Sequence, residues 1–219
     1  MTKGSALIVG VGPGLGLALA EAFARDGHPV GLFGRDAARL DKYASGLGDE
    51  GRTAGAYSVD AADPEGLEAA LVRAADELGA PEVLVYNAAL LKADTPTALD
   101  AREFAHSLAV NVTGAVVAAQ TVLPLLRDGR GSLLFTGGGL ALDPSPAYTS
   151  LSVGKASLRA YVESLHKQQQ GTGVHVTGVT VSGSIGGDDP RFAPETLAAA
   201  YLNLHLQPQD QWQAELLYV

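Results

Sequence analysis

The sequence predicts an α/β fold: a doubly wound, mostly parallel sheet of about seven strands with helices on both faces. Three observations lead there. Short apolar runs alternate with longer stretches of helical period along all 219 residues, the pattern of a parallel sheet covered by helices. A glycine loop joins the first run to the first helical stretch. Acidic or hydroxyl residues followed by proline mark helix starts at 63–64 and 145–146.

The elements follow in order. Ala6–Val9 reads as a buried strand, and Leu15–Ala24 as a helix stopped by Asp26-Gly27. Pro29–Phe33 and Thr53–Val59 are the next strands, with a helix over Ala37–Leu47 between them. Asp63 caps a helix with Pro64 in its first turn, ending near Leu78. Val83–Tyr86 is the fourth strand. A long helix spans Ala101–Arg127 with Pro124 near its end, and Ser132–Phe135 is the fifth strand. Ser145-Pro146 opens a helix through Gln169. Val174–Val181 is the sixth strand, Pro194–His205 the last helix, and Ala214–Tyr218 a seventh strand. No repeat or linker interrupts the pattern, so residues 1–219 are expected to form one domain.

Composition narrows the function classes. The formal charge of −9 argues against nucleic-acid backbones as partners. Cysteine is absent, which removes disulfides, thiolate nucleophiles and cysteine metal sites and fits a cytoplasmic setting. The five histidines show no paired-ligand spacing, so no metal site is expected. The N-terminal residues lack a signal-peptide layout, and no long uncharged apolar run predicts a membrane span. Glycine is in surplus, 27 residues or about 12% against a usual 7% or so, and without a collagen-like period these glycines are expected at turns and close approaches.

Gly10, Gly14 and Gly16 give the spacing GxxxGxG between the first strand and the first helix. A pyrophosphate can approach such a loop because no Cβ stands in the way, and the helix start offers free N–H groups and a positive dipole end. This is the layout of a Rossmann-type dinucleotide site. At the end of the second strand, Gly34 takes the position where a carboxylate would hold the ribose 2′-hydroxyl of NAD(H), and Arg35 follows. A guanidinium fork suits a 2′-phosphate, so NADP(H) is favoured over NAD(H). Asp36 stands ready to pair with Arg35 and weaken that preference.

With these residues the chain, from about Ala6 to Ile185, resembles the short-chain dehydrogenase/reductase family. Asp60 looks like the family's adenine-binding aspartate. Asn87-Ala88-Ala89 is similar to its Asn-Ala-Gly beside the cofactor. Asn111 resembles the asparagine that supports a proton-relay water, and Lys155 matches the lysine of YxxxK. The resemblance implies cofactor contacts from Gly10, Gly14, Leu15, Gly16, Arg35, Asp60, Asn87, Ala88, Lys155 and Ile185. It implies a small-molecule substrate, and a homodimer or homotetramer built through helices 101–127 and 146–169.

Two of the family's usual groups are missing. The tyrosine position four residues before Lys155 holds Leu151, and the serine position falls near Gly138. Tyr148 lies seven residues before Lys155, which is about 10.5 Å along a helix on the same face. It either supplies the proton or packs at the helix start. Thr136, Ser150 and Ser152 are further hydroxyls nearby, and Leu140, Ala141 and Leu142 would form an apolar wall. Trp212 is expected to pack the C-terminal segment or a subunit contact. The catalytic candidates are thus Lys155, Asn111 and Tyr148. The expected function is an NADP-dependent oxidoreductase of a small carbonyl or alcohol with an atypical site. The other readings are a catalytically silent cofactor-binding paralogue, or a non-redox lyase, isomerase or cyclase.

Overall fold

The computed structural model describes residues 3–219. Seven strands form one sheet: β1 (Ser5–Val9), β2 (Val30–Gly34), β3 (Ala54–Ser58), β4 (Pro81–Tyr86), β5 (Gly131–Thr136), β6 (Val174–Val181) and β7 (Glu215–Tyr218). Their order is β3-β2-β1-β4-β5-β6-β7, and every neighbouring pair is parallel. The central strands are almost wholly apolar because helices cover both faces.

The helices are α1 (Leu15–Arg25), α2 (Ala37–Asp49), α3 (Pro64–Leu78), α4 (Ala101–Leu108), α5 (Gly114–Val122), α6 (Thr149–Gln169) and α7 (Pro194–Leu206). Two cores result. One packs α1 and α7 against side chains such as Ile8, Leu32 and Leu134. The other packs α3, α5 and α6 against Leu7, Leu84 and Leu133. The chain order reverses between β1 and β4, and that crevice, outside the carboxyl ends of the strands, is where a doubly wound sheet binds ligands.

Asp63 caps α3 as expected, accepting from the Gly66 amide at 3.1 Å with Pro64 in the first turn. Two helix boundaries differ from expectation by three residues or more. The same Ser-Pro signal at 145–146 does not start α6, which begins at Thr149. Its cap comes from elsewhere in the chain: the Asp94 carboxylate accepts from the Ser150 amide at 3.0 Å and from the Ser150 hydroxyl. These bonds hold the Asp94 carboxyl below the usual carboxylate range.

The long helix is also interrupted, and it does not reach Arg127. Between α4 and α5, residues Ala109–Thr113 widen into a π turn, with the Gly114 amide reaching back five residues to Ala109. Tyr86, fully buried on β4, donates to the Val110 carbonyl at 2.6 Å and so takes up an acceptor that the widened turn exposes. After Val122 the chain tightens to a 3₁₀ turn over Leu123–Leu125, where Pro124 lacks the amide to continue. The run 101–125 is long and apolar enough to cross a membrane by length and composition. In the fold its Ala115, Ala118, Ala119 and Val122 are fully buried in the second core.

Candidate functional site

The glycine loop shows which glycines the backbone needs. Gly10 has φ +97°, and a Cβ there would stand 2.6 Å from Ala88 Cα and 2.7 Å from the Asn87 carbonyl carbon, besides striking the Ala88 nitrogen. Gly16 lets α1 pass the loop, since a Cβ would sit 2.8 Å from Val11 Cα and against the Gly10 carbonyl oxygen. Gly14 is different: a Cβ there would meet nothing within 4 Å. It caps α1 without a side-chain bond, leaving the space beside the helix start open. The backbone thus requires glycine at Gly10 and Gly16, while the space beside Gly14 is open.

A groove of about 670 Å³ runs from this loop across the ends of β1, β2 and β4. Gly10, Arg35, Asp60, Asn87 and Ala88 line it, as do Arg39, Val59 and Leu90. Asp60 is half-buried and accepts from the Ala62 amide at 2.9 Å through one oxygen. Gly34 keeps the groove floor close, because a Cβ would reach within 3.2 Å of the Val11 carbonyl.

The pairing of Asp36 with Arg35 that would weaken the NADP(H) preference does not form. Asp36 caps α2, accepting from the Arg39 amide at 3.1 Å, and its carboxylate pairs with the Arg39 guanidinium at 2.9 Å. Cap geometry turns the side chain toward the helix and away from Arg35. The Arg35 guanidinium is exposed and makes no ion pair among the described residues. Arg39, in the first turn of α2, is a groove residue absent from the sequence expectations. Its signal is a basic residue just after the Asp36 cap, at the helix start that meets the groove end.

Lys155, Asn111, Tyr148 and Ile185 stand apart from the lining of that groove. Lys155 is buried on α6, and its ammonium donates to the Thr136 carbonyl at 2.7 Å. Burial holds its pKa down to about 8. An unfolded chain keeps the ordinary value near 10.5. Between pH 8 and 10.5 the unfolded state then binds more protons, so Lys155 makes stability rise with pH across that window. Relative to Lys155→Met, the wild type is expected to gain up to roughly 3 kcal/mol of stability between those pH values. Urea unfolding of both proteins at pH 7, 8, 9 and 10 measures this. A stability difference that stays flat would mean a solvated lysine.

Asn111 lies in the π turn, fully buried. Its Oδ1 accepts from the Leu90 amide at 3.1 Å and its Nδ2 donates to the Ser107 hydroxyl at 3.0 Å. Gly154, next to Lys155, lets α6 close on it: a Cβ would stand 2.9 Å from Asn111 Cβ. Asn111 and the lysine turn are thereby neighbours.

Tyr148 is not on the helical face expected for it. It is the N-cap residue of α6 with φ −142° and ψ 52°, outside the helix proper. The residue is 37% exposed, at the carboxyl-end side of the sheet where the loop after β5 enters α6. Leu91, Leu142 and Ile185 are also exposed there, at the loops after β4, β5 and β6. Ser150 and Ser152 are buried and committed, the first to Asp94 and the second to the Tyr148 carbonyl at 2.8 Å. Leu151 is buried, and Gly138 is extended. A Cβ at Gly138 would rest 3.7 Å from the Lys155 stem, an ordinary contact. Trp212 packs the C-terminal segment, stacking on His175 with ring centroids 4.9 Å apart.

Thr136 joins the two parts. Its carbonyl receives Lys155, and its hydroxyl donates to Asn87 Oδ1 at 3.0 Å. Asn87 Nδ2 in turn donates to the Gly10 carbonyl at 2.9 Å. In the sequence Thr136 stands out only as one of several nearby hydroxyls.

Comparison with known proteins agrees with this architecture. An uncharacterized oxidoreductase of Staphylococcus saprophyticus is 26% identical over 213 residues, covering 93% of this chain and 91% of its own. A short chain dehydrogenase from Burkholderia cenocepacia, solved in complex with NADP, superposes with a TM-score of 0.86 at 26% identity, covering 97% of this chain and 94% of its own. An alcohol dehydrogenase from the archaeon Thermococcus sibiricus, complexed with 5-hydroxy-NADP, gives 0.88 at 25% identity, covering 98% and 95%. The family model for short chain dehydrogenases matches residues 5–185, and the chain belongs to that family of oxidoreductases.

Proposed function

We propose that the chain is one dinucleotide-binding domain that uses NADP(H) to interconvert a small carbonyl compound and its alcohol. The observation that carries the cofactor reading is the end of β2. There Gly34 supplies no carboxylate, Arg35 makes no ion pair among the described residues, and Asp36, in the same groove lining, is held by Arg39. The Arg35 fork fits a 2′-phosphate, and Arg39 neutralises the Asp36 carboxylate that lines the same groove and would otherwise repel it. The open space at Gly14 beside the start of α1 fits a pyrophosphate. In this reading Gly14, Leu15 and Gly16 hold the pyrophosphate, Asp60 the adenine, and Asn87, Ala88, Lys155 and Ile185 the nicotinamide end. When bound, the reduced nicotinamide supplies a hydride.

The chain's own residues handle the proton. The Lys155 ammonium places positive charge beside the reacting oxygen and favours its anionic form. A proton reaches that oxygen from the Tyr148 hydroxyl, or from a water admitted over Gly138 and steadied by Asn111. The product is the alcohol, one hydride and one proton richer than the carbonyl substrate. Assembly as a homodimer or homotetramer through α4–α5 and α6 belongs to the same reading.

The test is NADPH absorbance against a panel of small aldehydes and ketones, with a parallel titration of NADPH and NADH binding. Tighter NADPH binding with turnover is the expected result. Arg35→Ala/Arg39→Ala is expected to weaken NADPH binding by roughly 10- to 100-fold, as for a charge-assisted bidentate contact, and to leave NADH nearly unchanged. Equal loss for both dinucleotides would remove the 2′-phosphate assignment. Leu151 and Gly138 favour one other reading, a cofactor-binding chain without turnover. Tight NADPH binding with no hydride transfer to any panel member would establish it.

A further inference from the structure

Tyr201 sits in the middle of α7, fully buried, on the face of the sheet opposite Lys155. Its hydroxyl donates to the Thr136 hydroxyl oxygen at 2.8 Å. Thr136 is itself buried, at the end of β5. Its single hydroxyl proton goes to Asn87 Oδ1, and the carboxamide's other end grips the Gly10 carbonyl. The result is a directional line of three bonds ending on the backbone of the glycine loop: Tyr201 to Thr136, Thr136 to Asn87, Asn87 to Gly10.

A pair of buried hydroxyls is an odd choice for a core. Phenylalanine and valine have nearly the same shapes, and replacing both partners of a buried hydrogen bond by apolar isosteres is close to neutral for stability. What the apolar pair could not do is orient Asn87. A carboxamide is nearly symmetric in shape, and a flipped Asn87 would set oxygen against the Gly10 carbonyl oxygen. Tyr201 occupies a lone pair of the Thr136 oxygen and leaves the Thr136 proton for Asn87. That makes the present orientation the satisfied one.

We infer that Thr136 and Tyr201 are positioning residues for the dinucleotide, fixing Asn87 and through it the Gly10 turn of the cofactor groove from the far side of the sheet. The inference rests on the cofactor reading above. Without the line, Asn87 and the loop must be ordered at the moment of binding, so affinity falls while the fold survives.

The experiment is a fluorescence titration of NADPH on the full chain, run well below every variant's Tm. Thr136→Val is expected to raise the NADPH Kd roughly tenfold, and Tyr201→Phe roughly threefold, about the worth of one buried hydrogen bond. The double variant should be no weaker than Thr136→Val alone, because both act through one line. Thr136→Ser, which keeps the hydroxyl, should bind within about twofold of wild type. A folded Thr136→Val with unchanged Kd overturns the inference, even if its Tm falls. So does a Thr136→Ser that binds as weakly as Thr136→Val, since methyl packing would then be the cause. A wild type that binds no NADPH overturns the cofactor reading itself, a result distinct from either of these.

Discussion

Gly138→Ser/Leu151→Tyr will turn over a small carbonyl substrate at least about 100-fold faster than the wild type, the contribution of a well-placed general acid. The physical case starts from what already stands around these positions. Gly138 has φ −173° and ψ 150°, an extended backbone that any residue adopts. A side chain there would lie in ordinary contact with the Lys155 stem. Leu151 is one helical turn before Lys155, so a tyrosine at that position shares its face. The Lys155 charge then lowers the phenol pKa and makes it a competent acid near neutral pH. The larger ring enters a buried position, so circular dichroism and NADPH binding must accompany the rates. A folded double variant that binds NADPH yet reacts no faster would show that these hydroxyls do not limit the reaction.

Gly10→Ala and Gly14→Ala will part company completely. At Gly10 the new methyl meets only backbone, and φ +97° is itself unfavourable for an L side chain. No flexible group can yield, so about 3 kcal/mol or more of stability is lost, with a Tm drop on the order of 10 °C for a chain this size. At Gly14 the methyl meets nothing, and the Tm should stay within about 2 °C of wild type. NADPH binding should nevertheless fall at least about tenfold, because the methyl fills the space assigned to the pyrophosphate. Thermal unfolding and dinucleotide titration on the two variants give both answers. A Gly14→Ala protein that binds normally would move the pyrophosphate elsewhere.

The strands were legible because each is a short apolar run that the sheet buries on both faces. The Asp63-Pro64 start was legible because its cap is local: the aspartate bonds an amide three residues on. Ser145-Pro146 has the same look and fails. The carboxylate that satisfies the first amides of α6 comes from Asp94, more than fifty residues earlier, and no local pattern reveals it. The π turn at Ala109–Thr113 was hidden for a like reason, since its partner is the Tyr86 hydroxyl reaching across from β4. In the site, the glycine loop was visible from its spacing between a strand and a helix, whereas Asn87, Asn111 and Lys155 were visible only through the family resemblance. Tyr201 was not, because a tyrosine among leucines and alanines on a helix reads as core. Its function lies in one hydroxyl, and only the partner across the sheet discloses it.

The Asp94 cap has a consequence for how this molecule can be altered. The loop after β4 and the first turn of α6 are one clasp, joined by the carboxylate and by the Asp94 amide on the Ala147 carbonyl. Exposed Leu91 lies three residues before that joint and Tyr148 bridges to it directly. A ligand that moved either one would pull on the start of the helix that bears Lys155. Grafting a longer loop at 91–96 would thus change the lysine's footing as well as the width of the entrance.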